Sequence, residues 1–102
     1  MSYKKKKIYE IMLYDEKRKN MNIGDEINII HNDDSSKSYN VIIIEVKVYK
    51  SFKKAIEDSG FKNVIPDAKD FNEALQIYMN IPGYSDNEEK FGVVRFKLQL
   101  QN

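Results

Sequence analysis

The length, composition and charge of the chain narrow its class. It has 102 residues, of which 41% are hydrophobic and 12% are aromatic, so one modest hydrophobic core is feasible. The absence of cysteine excludes disulfides, thiolate zinc sites and cysteine nucleophiles. Because the formal net charge is only +1, any nucleic-acid surface has to come from local segregation of charge.

The sequence favours one intracellular domain. No internal repeat, linker or change of composition divides residues 1–102, and residues 1–7 form a basic N-terminal segment that ends in the four lysines Lys4–Lys7. No apolar run follows these lysines as in a signal peptide, and none approaches the roughly 20 residues of a membrane span. Small secreted domains often depend on disulfides, which this chain lacks. We therefore expect a cytoplasmic protein, with the nucleus as the alternative.

The first half of the chain predicts three strands, at residues 8–14, 26–30 and 39–49. Gly24 marks a tight turn before the second strand. The turn-forming residues 31–36 then link the second strand to the third as an antiparallel pair. Alternation predicts two faces for the third strand, one with Ile42, Ile44, Val46 and Val48 and the other with Ile43, Glu45, Lys47 and Tyr49.

The second half predicts two short helices and a final strand. Ser51 caps a helix over residues 52–58, and Asp70 caps a second helix over residues 71–80. The final strand, residues 91–100, alternates between inward Val94, Phe96, Leu98 and Leu100 and outward Arg95, Lys97 and Gln99. Because no long amphipathic helix joins consecutive strands, the sheet should be mostly antiparallel. We expect an α+β fold, a curled sheet or small barrel with two short helices packed on it.

Several short segments form an ordered pattern. The first has a Lys, a Glu three residues on and a polar loop before a Gly-Asp pair, here Lys7, Glu10 and Ile23-Gly24-Asp25. The later segments are Val46–Phe52 at a strand-to-helix junction, Ile65-Pro66-Asp67, the helix at 71–80 and Phe91–Val94. Over about residues 7 to 100, their order and spacing resemble the ASCH domain family of the PUA-like superfamily.

The resemblance implies a PUA-like β-barrel with a cleft suited to a nucleobase, a nucleoside or RNA, and it implies no cofactor. Some members of the family hydrolyse the acyl group of N4-acetylcytidine, and others are proposed to bind or process RNA. By analogy, Lys7 and Glu10 are the candidate catalytic pair. In a domain that only binds, the same two side chains would contact the edge of the base.

Three features depart from the family pattern. Met12 stands where the family has an arginine, which removes a cation with a planar, bidentate fork. Glu10 stands where the acetylcytidine hydrolases carry the threonine that is their proposed nucleophile. Only six residues precede Lys7, so we expect this edge of the barrel to be missing, rebuilt or supplied by another chain. An open edge of this kind would allow self-association.

The residues of the first strand also have structural interpretations. Lys7 and Glu10 face opposite sides of a regular strand, so only a bend or bulge would bring them together, and the alternative is an ordinary surface ion pair. Tyr9 and Tyr14 are candidates for stacking on a base, although packing in the core or at the rim of the barrel is the favoured explanation for each. Met12, in the position of the family arginine, is counted with the ligand-binding residues.

The remaining candidates lie in polar segments. Lys17 and Arg18 are candidates to contact phosphate at the mouth of the cleft, or they belong to a solvated loop. Asp67 faces the cleft or caps a helix. His31 precedes Asp33 and Asp34, but hydrogen bonds within a turn explain these three residues, so no metal site is predicted.

The sequence leaves three functions open. The first is an RNA- or nucleoside-binding domain. The second is a small amidohydrolase that acts on an acylated nucleoside such as N4-acetylcytidine, with Lys7 polarising the substrate and Glu10 acting as general base. The third is a protein-interaction domain that keeps the fold without the chemistry of the pocket.

Overall fold

The computed structural model describes residues 9–30 and 38–101. The strands in these ranges are β1 (Tyr9–Leu13), β2 (Glu26–Ile30), β3 (Ser38–Tyr49) and β4 (Val93–Gln101). The helices are α1 (Glu16–Lys19), α2 (Phe52–Ser59), α3 (Phe61–Val64), α4 (Phe71–Met79) and α5 (Tyr84–Phe91). The strands form one antiparallel sheet in the order β1-β4-β3-β2, curled into a half-barrel. The predicted α+β fold with a mostly antiparallel sheet is confirmed, and the two predicted helices are α2 and α4.

The caps predicted for these two helices are present. The Ser51 hydroxyl accepts a hydrogen bond from the Lys54 amide at 3.2 Å, and the Asp70 carboxylate accepts one from the Glu73 amide at 2.8 Å. Glu73 in turn accepts from the Lys69 amide at 2.9 Å. Each cap satisfies an amide in the first helical turn that has no partner within the helix. Local sequence therefore fixes where both helices begin.

The sheet carries a hydrophobic cluster on each face. We call the face covered by the helices the helix face; its buried residues include Ile11, Leu13, Phe52, Ile56, Val64 and Val93. We call the other side the cleft face; its buried residues are Val41, Ile43, Val94, Phe96 and Leu98. Because consecutive residues of a strand alternate between faces, β1 and β4 supply side chains to both clusters. This explains why β1 is mostly apolar on both of its sides.

A β-bulge in β3 exchanges the two faces partway along the strand. Ile43 lies opposite Leu98 of β4, whereas Glu45 lies opposite Lys97, so Ile44 is an extra residue. Ile43 therefore points to the cleft face and Glu45 to the helix face. The prediction that Ile43 and Glu45 share a face is wrong, because period-2 alternation cannot anticipate an inserted residue.

Helix α5 was not predicted, and it begins directly after Gly83, in a segment of mainly polar residues. Its Glu88 carboxylate accepts a hydrogen bond from the Phe52 amide at 2.6 Å, so α5 caps the start of α2. The Phe52 ring stacks between Tyr78 and Tyr84, with centroid distances of 5.2 Å to each.

No helix in the described ranges is long and apolar enough to cross a membrane.

Candidate functional site

The cleft face of the sheet holds a cavity of about 110 Å³. Its walls are Glu10, Met12, Ile27, Phe96 and Leu98. Glu10 and Met12 are two residues apart in β1 and so point to the same face. Ile27 comes from β2, at the opposite edge of the sheet, so the curl of the half-barrel brings the two edges to one cavity.

The lining of this cavity combines apolar walls with one carboxylate. Four of the five side chains are apolar, and the fifth is the half-buried Glu10. An ionised carboxylate accepts hydrogen bonds and has room for more than one donor. The volume is well below the roughly 300–1,000 Å³ of a typical small-molecule pocket. The cavity is therefore too small for an entire dinucleotide cofactor.

A guanidinium group lies beside the cavity wall. Arg18 Nε is 3.4 Å from Met12 Sδ, and Arg18 Nη1 is 3.0 Å from Asp15 Oδ2. Asp15 also caps α1, because its Oδ1 accepts a hydrogen bond from the Arg18 amide at 3.1 Å. Since α1 begins three residues after β1 ends, this cap turns Arg18 back toward the strand. The short helix α1 thus places the Arg18 guanidinium beside Met12.

Two tyrosines of the helical layer interact electrostatically with charged residues of this region. Burial raises the pKa of the half-buried Tyr84; the charge of Arg18 lowers it, and the charges of Glu10 and Asp15 raise it. Burial, and then the charge of Glu10, raises the pKa of Tyr78 as well. Tyr84 belongs to α5, which packs against β1. Sequence reasoning did not identify this position of Tyr84, because it did not predict α5.

The predicted residues of β1 divide between the two faces. Glu10 and Met12 line the cavity, and the half-buried Tyr14 packs with the cleft-face cluster. Tyr9 lies on the helix face, where its ring contacts the Arg95 guanidinium at 4.0 Å. The structure therefore brings Glu10 and Met12 together and places Tyr9 on the opposite side of the sheet.

The other predicted residues lie at the periphery or outside the described ranges. Lys17 is exposed on α1, and Asp67 is exposed between α3 and α4. Lys7 lies outside the described residues, so its pairing with Glu10 stays a prediction. The predicted turn at residues 31–36 also lies outside them. Within the described ranges, no group of three metal-ligating side chains comes together.

A second cluster of charged residues surrounds Arg95 on the helix face. Its Nη1 donates to Ser59 Oγ at 2.8 Å, and its Nη2 donates to Glu45 Oε1 at 2.8 Å. The prediction that Arg95 faces solvent is wrong: the residue is 5% exposed, because α2 covers this part of the sheet. A buried cation is tolerated when it is paired and hydrogen-bonded. Arg95 thus ties β3 and β4 to α2.

Asp58 of α2 completes the Arg95 cluster. It accepts hydrogen bonds from the Tyr49 hydroxyl and from Lys47 Nζ, the latter at 3.0 Å, and it lies 3.5 Å from Arg95 Nη1. The Tyr49 hydrogen bond, followed by that of Lys47, holds the pKa of Asp58 below its ordinary value. These contacts join the far end of β3 to α2, and we interpret the cluster as structural.

Two solved structures share this fold. The crystal structure of the hypothetical protein PH0355 matches with a TM-score of 0.78 and 33% identity, over 93% of this chain and 82% of that one. The solution NMR structure of PF0455 from Pyrococcus furiosus matches with a TM-score of 0.74 and 32% identity, over 95% of this chain and 83% of that one. No protein-family model and no curated protein matches the chain. At this identity and coverage, the chain belongs to the same protein family as PH0355 and PF0455.

Proposed function

We propose that this chain is an ASCH-like domain of the PUA-like class that binds RNA or a modified nucleoside through the cavity on its cleft face. The observation that carries the proposal is the presence of one carboxylate, Glu10, in a cavity with otherwise apolar walls. The ordered sequence segments that resemble the ASCH family support it independently. Glu10 belongs to both sets of observations.

The shape and chemistry of the cavity favour a nucleobase. A planar ring inserted between Met12, Phe96 and Leu98 would gain hydrophobic and dispersion contacts on its faces. The Glu10 carboxylate would accept a hydrogen bond from the exocyclic amino group of cytosine, which is a usual partner for a carboxylate. Uracil presents a carbonyl oxygen at that position, so Glu10 would discriminate against it.

The basic residues near the cavity favour a nucleotide or RNA over a free base. Arg18 is 28% exposed and is already held against Met12 and Asp15. Its Nη2 takes part in neither of those contacts. A guanidinium held in this way is suited to a phosphate oxygen, and the exposed Lys17 on the same helix would add a weaker, salt-sensitive contribution. Lys7 is the further predicted contact from the strand side.

The test compares cytidine binding by Glu10→Gln with binding by the wild-type protein, measured by calorimetry. The substitution keeps the size of the side chain and removes its charge, so we expect the affinity for cytidine to fall about tenfold. Glu57→Gln, at an exposed position of α2, is the matched control and should bind as the wild type does. Equal affinity in the wild type and Glu10→Gln would show that the base does not meet this carboxylate.

The amidohydrolase alternative uses the same residue. A half-buried carboxylate on the wall of an apolar cavity is positioned to act as general base on a water molecule beside a bound acyl group. Incubation with N4-acetylcytidine distinguishes the two functions, because only hydrolysis releases cytidine and acetate. Turnover that Glu10→Gln abolishes would establish the enzyme, whereas binding without turnover would leave the binding domain.

A further inference from the structure

Strand β3 extends well beyond the strand that covers its outer edge. β2 pairs with β3 from Ser38 to Ile42, and two hydrogen bonds between the 24–25 segment and Ile43 extend this cover by one residue. From Glu45 to Tyr49, β3 pairs with β4 on its other side. In the described part of the chain, no strand pairs with the outer edge of residues 44–49. Among the described residues, this half of β3 therefore has an open outer edge, which we call the β3 edge.

The β3 edge carries large apolar side chains in contact with water. Ile44 is 41% exposed and Val48 is 49% exposed. Ile23, which is 65% exposed, precedes Gly24, whose amide donates to the Ile43 carbonyl at 2.8 Å. An open strand edge with exposed apolar residues is a template for pairing with another strand. The sequence of the β3 edge indicates which strand it would pair with.

We propose that the β3 edge binds a second copy of this chain, with the two β3 strands antiparallel and paired about Val46. A two-fold axis through Val46 places residue 45 of one copy opposite residue 47 of the other. Glu45 then faces Lys47 of the second copy, and Ile44 faces Val48. The axis generates each of these pairs twice. Oppositely charged pairs and pairs of apolar residues directly across two strands both stabilise a sheet.

The charges of β3 also select this register over its neighbours. A two-fold axis through Lys47 would place lysine opposite lysine, and an axis through Glu45 would place glutamate opposite glutamate. Like charges directly opposite each other destabilise a strand pair. The sequence of this segment is thus self-complementary in one register.

The dimer would leave the cavity accessible. The residues of the pairing segment belong to β3, whereas the cavity is lined from β1, β2 and β4. The inference is therefore independent of the proposed function. Two half-barrels joined along β3 would form one continuous sheet of eight strands.

The test uses two variants designed for opposite sides of the same pair. In Ile44→Lys a lysine faces Val48 twice in the homodimer, and in Val48→Glu a glutamate faces Ile44 twice. In the mixed dimer, the introduced lysine of one copy faces the introduced glutamate of the other, and the second pair keeps its native residues. Analytical ultracentrifugation should give about twice the chain mass of 12.0 kDa for the wild type and for an equal mixture of the two variants. Each variant alone should dissociate with a constant raised about tenfold or more.

Ile77→Lys, at an exposed position of α4, is the matched control and should remain dimeric. Circular dichroism checks that every variant keeps its fold. A wild-type protein that stays monomeric at the highest soluble concentration would overturn the inference. So would two single variants that both remain dimeric, because the dimer would then use another surface. Failure of the mixture to restore the dimer would contradict the register about Val46.

Discussion

The guanidinium of Arg18 lies against the thioether of Met12, with Nε and Sδ 3.4 Å apart. The resemblance to the ASCH family places an arginine at position 12, and this chain has a methionine there. Arg18 reaches the same place from α1, held by the carboxylate of Asp15 at 3.0 Å. A cation therefore stands beside the cavity wall, although its side chain comes from a different position in the sequence.

An exchange of the two side chains tests this spatial substitution. Met12→Arg alone would bring two guanidinium groups together, so we expect the free energy of unfolding to fall by about 1–2 kcal/mol. The double variant Met12→Arg with Arg18→Met restores one cation and one apolar group, and should recover most of that loss in urea denaturation. If the loss in the double variant equals the sum of the losses in Met12→Arg and Arg18→Met, the result would contradict a direct contact between the two positions.

Removal of the Arg18 side chain should weaken RNA binding more than removal of a neighbouring lysine. Arg18→Ala deletes a cation held beside the cavity, and we expect the affinity for a short single-stranded RNA to fall about tenfold. Lys17→Ala removes an exposed cation from the same helix and should change affinity only about two- to threefold. Fluorescence anisotropy at two salt concentrations measures both. Equal losses of affinity in the two variants would mean that Arg18 contributes only its positive charge and no specific contact.

The Arg95 cluster makes a prediction about stability. Arg95→Met removes the hydrogen bonds to Ser59 and Glu45 and the contact with the Tyr9 ring, so we expect the free energy of unfolding to fall by about 2–3 kcal/mol. Lys97→Met, two residues along the same face of β4, should cost less than about 1 kcal/mol. Similar losses in the two variants, measured by urea denaturation, would mean that Arg95 does not hold α2 to the sheet.

Stability should also depend on the charge of Asp58 in acid. The hydrogen bonds from Tyr49 and Lys47 lower its pKa in the folded state below the ordinary value of 3.8, so the unfolded chain binds a proton more readily. The stabilisation is present above that value and is lost as the pH falls through the lowered pKa.

Thermal denaturation of Asp58→Asn checks this sign. The variant should melt below the wild type near neutral pH, and the difference should shrink as the pH falls below about 4. Asp67→Asn, an exposed carboxylate in another segment, is the control and should not reproduce the pattern. A difference that grows on acidification would contradict the direction of the shift.

Local sequence signals predicted the positions of most elements. Ser51 and Asp70 cap the helices they were expected to cap, and the predicted bounds of β2 and α2 agree with the structure to within a residue. These signals act over three or four residues, so they depend little on the rest of the fold. Glu10 and Met12, which were predicted as site residues, both lie on the wall of the cavity, and their role in a site stays a prediction.

The features that could not be predicted depend on contacts between distant segments. Arg95 was assigned to solvent because it alternates with apolar residues, yet Ser59 and Glu45 satisfy its guanidinium on a covered face. The bulge at Ile44 cannot be recognised from the sequence of β3, because the residue pattern alternates without interruption there. Helix α5 contacts Phe52 through Glu88 as well as Tyr84, and most of its residues are polar, so its amphipathic period was hidden. In each case tertiary structure overrides the local pattern.

The most direct test of the proposed site is methyl NMR during titration with cytidine and, separately, with a short single-stranded RNA. Three of the five cavity residues, Met12, Ile27 and Leu98, carry methyl groups. We predict that their signals shift in both titrations, that Ile77 and Val48 do not respond, and that Glu10→Gln weakens the response. Unchanged signals from Met12, Ile27 and Leu98 at saturating ligand, or shifts confined to other methyl groups, would contradict base binding in this cavity.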